Sequence, residues 1–192
     1  MLKSIKVFVL IFFGIIVNAC SMSQLPNMTT LFDGANLENW NPIGNTEWTI
    51  NNGYVEGSGA PGFLVSNQSY DDYRLTVEFW ADEPANSGIF VRCQDNQNVT
   101  DTNCYEVNIF DTRPDQTYRT GGIVHIAAPT AIINAADQWN RYEIVAQGSQ
   151  LLVTLNGTET VNISDDKFES GSIALQYNSG VVRFREVKIQ EL

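Results

Sequence analysis

The 192-residue chain carries 22 acidic and 11 basic side chains, a formal charge of −11. Such a surface repels polyphosphates and anionic headgroups, which excludes nucleic acid as a partner and favours a neutral substrate or an envelope polymer. At this length the chain supplies one sizeable core rather than two.

In chain order, Lys3 and Lys6 precede Val7–Val17, a run that is apolar apart from Gly14. About 11 residues suit the hydrophobic region of a signal peptide and fall short of a helical bilayer span. The run ends in Val17-Asn18-Ala19-Cys20, which resembles the bacterial lipobox. The resemblance implies removal of residues 1–19, acylation of Cys20, and a cell-envelope lipoprotein that meets the membrane only through its lipid. An ordinary secretory signal with an incidental cysteine is the alternative. Ser21 rather than Asp after the cysteine fits the outer membrane, facing the periplasm. Residues 20–30 read as a polar, flexible tether, which leaves 31–192 as the folded domain.

An exported chain meets an oxidising compartment, so Cys93 and Cys104 are expected to pair as a disulfide. The bridge would close a loop of about a dozen residues, worth roughly 3 kcal/mol in the chain-entropy model. The segment Asp95 to Asp101 is rich in oxygen, but the chain has a single histidine and no metal or other cofactor is assigned.

From Trp48 onward, short alternating runs are punctuated by turn residues. Glu47–Ile50 and Tyr54–Glu56 flank Asn51-Asn52-Gly53, a hairpin signal repeated at Asn156-Gly157. Phe63–Val65 follows a Gly-Ser-Gly-Ala-Pro-Gly loop. Arg74–Trp80, Ile89–Arg92, Tyr105–Phe110 and Gly122–Ile126 come next. Trp139–Ala146, Leu151–Leu155, Thr160–Ile163, Ile173–Tyr177 and Val181–Ile189 complete the series. Ala127–Asp137 is the irregular stretch. About a dozen short strands and no helical stripe predict an all-β sandwich of two antiparallel sheets. The triplets at Asn27, Asn67, Asn98, Asn156 and Asn162 read as turn chemistry rather than glycan sites.

Leu31-Phe-Asp-Gly-Ala-Asn-Leu-Glu-Asn-Trp40 resembles the opening of the 3-keto-disaccharide hydrolase family. Collinear matches follow at Asn86–Arg92, Tyr105–Asp111, Thr120–Ile123, Ala128-Pro129, Trp139–Glu143, Leu155–Gly157, Ile173–Tyr177 and Val182–Ile189. The resemblance covers essentially the whole expected domain. It implies a concanavalin A-like jelly roll whose concave sheet meets carbohydrate. It further implies an oxidised glycoside or disaccharide as substrate. Departures are the Cys93/Cys104 pair and Asn108, where the family strand usually has Gln.

Period-two alternation places Glu106 and Asn108 opposite the core residues Val107 and Ile109. Glu-x-Asn-x-x-Asp over Glu106–Asp111 also resembles a degenerate laminarinase strand, in which a β-bulge turns the last acid onto the same face. Alternation likewise pairs Phe90 with Arg92, and Glu78 with Trp80. Were these strands adjacent, Glu78, Arg92 and Glu106 would converge, with Trp80 as a sugar platform; a plain cross-strand ion pair on a wet face is the alternative. His125 is the only histidine, the residue type suited to proton transfer near neutrality. Gly121-Gly122 permits close backbone approach, to a ligand or in a bulge.

A 3-keto group acidifies the C2 hydrogen, so hydrolysis can run through C2 deprotonation, elimination at C1 and hydration. The expected assignments are Glu106 or His125 as base, Arg92 as enolate partner, and Glu78 or Asp111 as acid, with Asn108, Trp80, Gly121 and Gly122 binding substrate. Two other functions fit the same sequence. One is a carbohydrate-binding sandwich without catalysis. The other is a conventional glucan hydrolase using Glu106 and Asp111.

Overall fold

The computed structural model describes residues 28–192. The apolar run, Cys20 and the first part of the expected tether lie outside the described residues. Eleven strands account for nearly all regular structure. They are β1 Thr29–Phe32, β2 Trp40–Asn51, β3 Tyr54–Tyr70, β4 Tyr73–Ala81, β5 Ser87–Cys93, β6 Tyr105–Ile109, β7 Trp139–Gln147, β8 Gln150–Leu155, β9 Thr158–Ser164, β10 Gly171–Tyr177 and β11 Val182–Glu191. One 3-10 turn occupies Gln116–Tyr118.

The strands form two layers joined through the long β2–β3 hairpin. The smaller layer runs β2-β3-β10-β5-β6, and the larger runs β2-β3-β11-β4-β7-β8-β9, with β1 beside β11. This is the concanavalin A-like jelly-roll sandwich. Asn52-Gly53 and Asn156-Gly157 both hold positive φ, as a two-residue primed turn requires, so the two hairpin signals set register as expected. The Gly-Ser-Gly-Ala-Pro-Gly segment is not a loop. It is the middle of β3, whose first part pairs with β11 and whose second part pairs with β10. Glycine there lets one strand bend from layer to layer.

Inward alternation builds the core. Ile89, Val91, Tyr105, Val107, Ile173 and Leu175 of the smaller sheet meet Val77, Phe79, Tyr142, Ile144 and Phe184 of the larger. Phe79 and Tyr142 stack at 5.0 Å. The hydroxyl of Tyr142 crosses the core to donate to the carbonyl of Asn108 at 2.7 Å. The folded part begins earlier than residue 31, because Thr29 and Thr30 already pair with Ile189 and Lys188. Gly122–Ile126 is not a strand: Ile123 makes single bridges to Val107 and Ala127, and a tight turn follows. Cys93 and Cys104 form the disulfide, tying the end of β5 to the start of β6.

Candidate active site

The outer face of the smaller sheet can be read row by row from its register. Phe63 of β3 lies opposite Gln176 of β10, and Gly88 of β5 lies opposite Asn108 of β6. Because Ala174 pairs with Phe90 and Leu175 with Ile89, Gln176 falls opposite Gly88. One row is therefore Phe63, Gln176, Gly88, Asn108. The next is Val65, Ala174, Phe90, Glu106. Val65, Phe90 and Ala174 form a second apolar cluster with Val99 and the disulfide, and Phe63 packs edge-on against Phe90 at 5.2 Å.

Gly88 makes a notch in that floor. A side chain there would come within 3.1 Å of Glu106 Cγ and 3.2 Å of its Oε1, so the Glu106 carboxyl leans over the glycine. Glu106 is only 7 % exposed and makes no salt bridge among the described residues. Burial pushes its carboxyl up to about 7; the negative charge of Asp101 adds to the rise and the positive charge of Arg113 opposes it. Asn108 is fully buried, and its amide nitrogen donates to the carbonyl of Tyr118 at 2.5 Å. That bond fixes the amide orientation and leaves Oδ1 without a partner among the described residues. Gln176 Oε1 and Arg113 Nε are likewise buried and unpartnered there.

The wall of the site comes from two loops. The disulfide-closed loop brings Asp101, whose Oδ2 lies 3.1 Å from His125 Nε2. Tyr118 packs edge-on against the His125 ring at 5.8 Å. His125 sits in a turn with φ +64°, not on a strand, and its side chain is 56 % exposed. Among the described residues no group of three His, Cys, Asp or Glu side chains is arranged to hold a metal ion.

Glu106 and Asn108 share the outer face that alternation gave them, but the convergence of Glu78, Arg92 and Glu106 does not occur. Two residues of β5, Val91 and Arg92, stand against Ile173 where the register slips, and Arg92 takes φ +54°. This bulge ends the alternation and swings Arg92 to one end of the sandwich interior, fully buried. There its guanidinium donates to the carbonyls of Asp71, Gly148 and Phe168 and to Asp72 Oδ1, at 2.7–3.2 Å. It is a structural cation gathering three loops. Glu78 and Trp80 do share a face, but β4 lies between β11 and β7, in the other layer. Glu78 Oε2 accepts from Arg185 at 2.7 Å, and Trp80 is covered by the Arg183 guanidinium at 4.7 Å.

Asp111 lies past the end of β6, and no bulge returns it to the face. Its Oδ2 accepts from the backbone nitrogens of Ala135 and Ala136 at 2.7 and 3.0 Å, which fastens the loop before β7. Gly121 and Gly122 are buried and approach their own chain. A side chain on Gly122 would meet the carbonyl of Ala127 at 2.9 Å and Pro129 at 3.0 Å. Sequence reasoning did not single out Arg113, Gln176, Phe63 or Gly88. A glycine inside the strand Asn86-Ser-Gly-Ile-Phe was the available signal.

Solved structures share this fold. A candidate glycosyl hydrolase from Parabacteroides distasonis ATCC 8503 superposes with a TM-score of 0.75 at 23 % identity, over 86 % of this chain and all of the other. A carbohydrate-binding module, CBM66, from Bacillus subtilis gives 0.62 at 15 % identity, over 88 % and 98 %. A β-1,3-1,4-glucanase (lichenase) derived from a mouse hindgut metagenome gives 0.59 at 12 % identity, over 85 % and 98 %. No curated protein matches the chain in sequence. The 3-keto-alpha-glucoside-1,2-lyase-like domain matches residues 27–190, nearly the whole described chain, and the chain belongs to that family.

Proposed function

We propose that the outer face of the smaller sheet is the active site of a carbohydrate-acting enzyme that cleaves 3-keto-glycosides. The observation that carries this reading is Glu106, a carboxyl leaning over the Gly88 notch and pushed up to about 7 by burial, with the charge of Arg113 acting against that rise. A base with that affinity for protons is matched to abstraction of a carbon acid at neutral pH. Glu106 takes the C2 proton, and the C2–H electrons form the enolate, whose negative oxygen at C3 is stabilised by Arg113. Collapse of the enolate restores the C3 carbonyl, forms the C1–C2 double bond and expels the C1 oxygen. His125, positioned by Asp101 and Tyr118, returns a proton to the leaving group. Water then adds, its hydroxyl to C1 and its proton to C2, which completes net hydrolysis.

Arg113 thus takes the part expected of Arg92, and His125 the acid part expected of Glu78 or Asp111. Asp111 is a poor partner for a conventional two-carboxylate hydrolysis because two backbone nitrogens already hold its Oδ2. The same proposal includes anchoring through an acylated Cys20, which would put the enzyme on the cell envelope; incorporation of a labelled fatty acid that C20S abolishes is the check.

The test is a matched pair of chromogenic glucosides, one 3-keto and one unoxidised. Release from the keto form alone is the expected result. Equal release from both would replace the elimination by acetal hydrolysis. Sugar binding with no release from either would make the chain a binding module.

A further inference from the structure

The floor of this face shows an imbalance of hydrogen-bonding groups. Two side-chain oxygens, Asn108 Oδ1 and Gln176 Oε1, are buried without a donor among the described residues, one on each side of the Gly88 notch. Their orientation is not free to invert at Asn108, whose amide nitrogen is committed to the carbonyl of Tyr118. Buried acceptors left in this state cost free energy that a ligand supplying donors can recover. The acids nearby, Glu106 and Asp101, are hydrogen-bond acceptors too when ionised. Arg113 is the cation whose charge reaches Glu106. On the far side of Gln176, Phe63 offers a half-buried apolar ring. A ligand matched to this set brings hydroxyl donors to the notch, an apolar ring face to Phe63, and no negative charge.

We propose that Gln176 and Asn108 are the specificity-determining residues of the site. Their side-chain oxygens accept hydroxyl protons from an uncharged sugar ring seated over Gly88, and the surrounding acceptors and acids turn away sugar acids. This rests on the reading of the face as a carbohydrate site and adds the ligand class, neutral glycosides against uronides. Gln176 is placed to do this by the register of β10 between β3 and β5. Its neighbours Leu175 and Tyr177 face the core, so the amide must face the notch.

The experiment titrates the protein at pH 8 with methyl glucoside, methyl galactoside and methyl 3-keto-glucoside, and with methyl glucuronide and methyl galacturonide. Binding is followed by NMR through the side-chain amide signals of Asn108 and Gln176. At least one neutral glycoside is expected to move both signals, and its uronide to bind at least about tenfold more weakly. Q176L keeps the volume and removes the acceptor, so it is expected to weaken the neutral sugar by about tenfold, the equivalent of one hydrogen bond, while the melting temperature holds. Uronides that bind as well as neutral sugars, undiminished binding by Q176L, or no shift with any probe would each overturn the proposal. The proposed reaction fails differently: sugar binding that depends on Gln176 without release from a keto-glycoside removes the chemistry and keeps the specificity.

Discussion

The two outer faces of the sandwich are built from the same alternating pattern and have opposite electrostatic character. On the larger sheet Glu56, Glu78, Glu143 and Glu186 each have a basic partner. Arg183 bonds Glu56 and lies over Trp80 and Tyr54, while Arg185 bonds Glu78 and lies 3.8 Å over Trp139. These side chains are 28–38 % exposed, so water and salt share in balancing them. On the smaller sheet Glu106 is 7 % exposed and has only the longer-range influence of Arg113 and Asp101. A settled surface pairs its charges, whereas this face leaves a carboxyl and two amide oxygens uncompensated. Such frustration is what a site retained for chemistry looks like.

Turnover offers the sharpest contrast. E106Q is expected to lower kcat on a 3-keto-glucoside by roughly a hundred- to ten-thousand-fold. E78Q, on the paired face, is expected to change it less than about twofold, since the carboxylate bonds Arg185 on the outer face of the other layer. Comparable losses in both variants would erase the distinction between the faces.

The pH profile comes next. If ionised Glu106 is the base, kcat/KM rises with pH through a limb at about 7. Asp101 raises that affinity for protons, so D101N moves the limb to lower pH. Arg113 lowers it, so R113M moves the limb to higher pH. A limb that stays in place in both variants would show that Glu106 is not the titrating group.

Stability should separate the faces by sign. Folding raises the Glu106 pKa from 4.5 to about 7, so the buried charge is a penalty. It is absent below the unfolded value, grows as pH rises through this window, and reaches about 3 kcal/mol above it. E106Q is therefore expected to stabilise the protein by about 1–3 kcal/mol at pH 8 and hardly at all at pH 4. R185M, which removes an ion pair and a ring contact, is expected to destabilise by about 1 kcal/mol at pH 8 and by less at pH 4, where carboxylates take up protons and mainly the ring contact is lost. Denaturant titrations at the two pH values measure both.

Much of the fold was legible because alternation and turn chemistry are local. Tyr105–Phe110 announced which side chains face outward, and the two Asn-Gly turns fixed hairpins. What depended on strand neighbours was not legible. Glu78 and Glu106 carry the same outward signature, and only the pairing of β4 with β11 and β7 assigns them to different layers. Arg92 misled because period two fails at a bulge, and nothing in Val-Arg-Cys announces one. Asp111 and His125 sit beyond strand ends, where periodicity says nothing about direction. Gln176 and Arg113 became visible only as buried atoms lacking partners, a property of the assembled face.

The strand order also dictates when that face can exist. β10 lies between β5 and β3, and β11 between β3 and β4, although both are the last strands in sequence. Hairpins such as β7–β8–β9 can close from local contacts, whereas both layers wait for their central members to be inserted between strands made long before. Until Gly171–Tyr177 docks, Phe63 and Gly88 have no common neighbour and the row across the site lacks its middle. Ribosomal synthesis therefore delivers Gln176 as one of the final pieces, and a chain halted before residue 171 would keep Gly88 and Phe90 beside Glu106 but lack the Gln176 and Ala174 that join them to Phe63 and Val65.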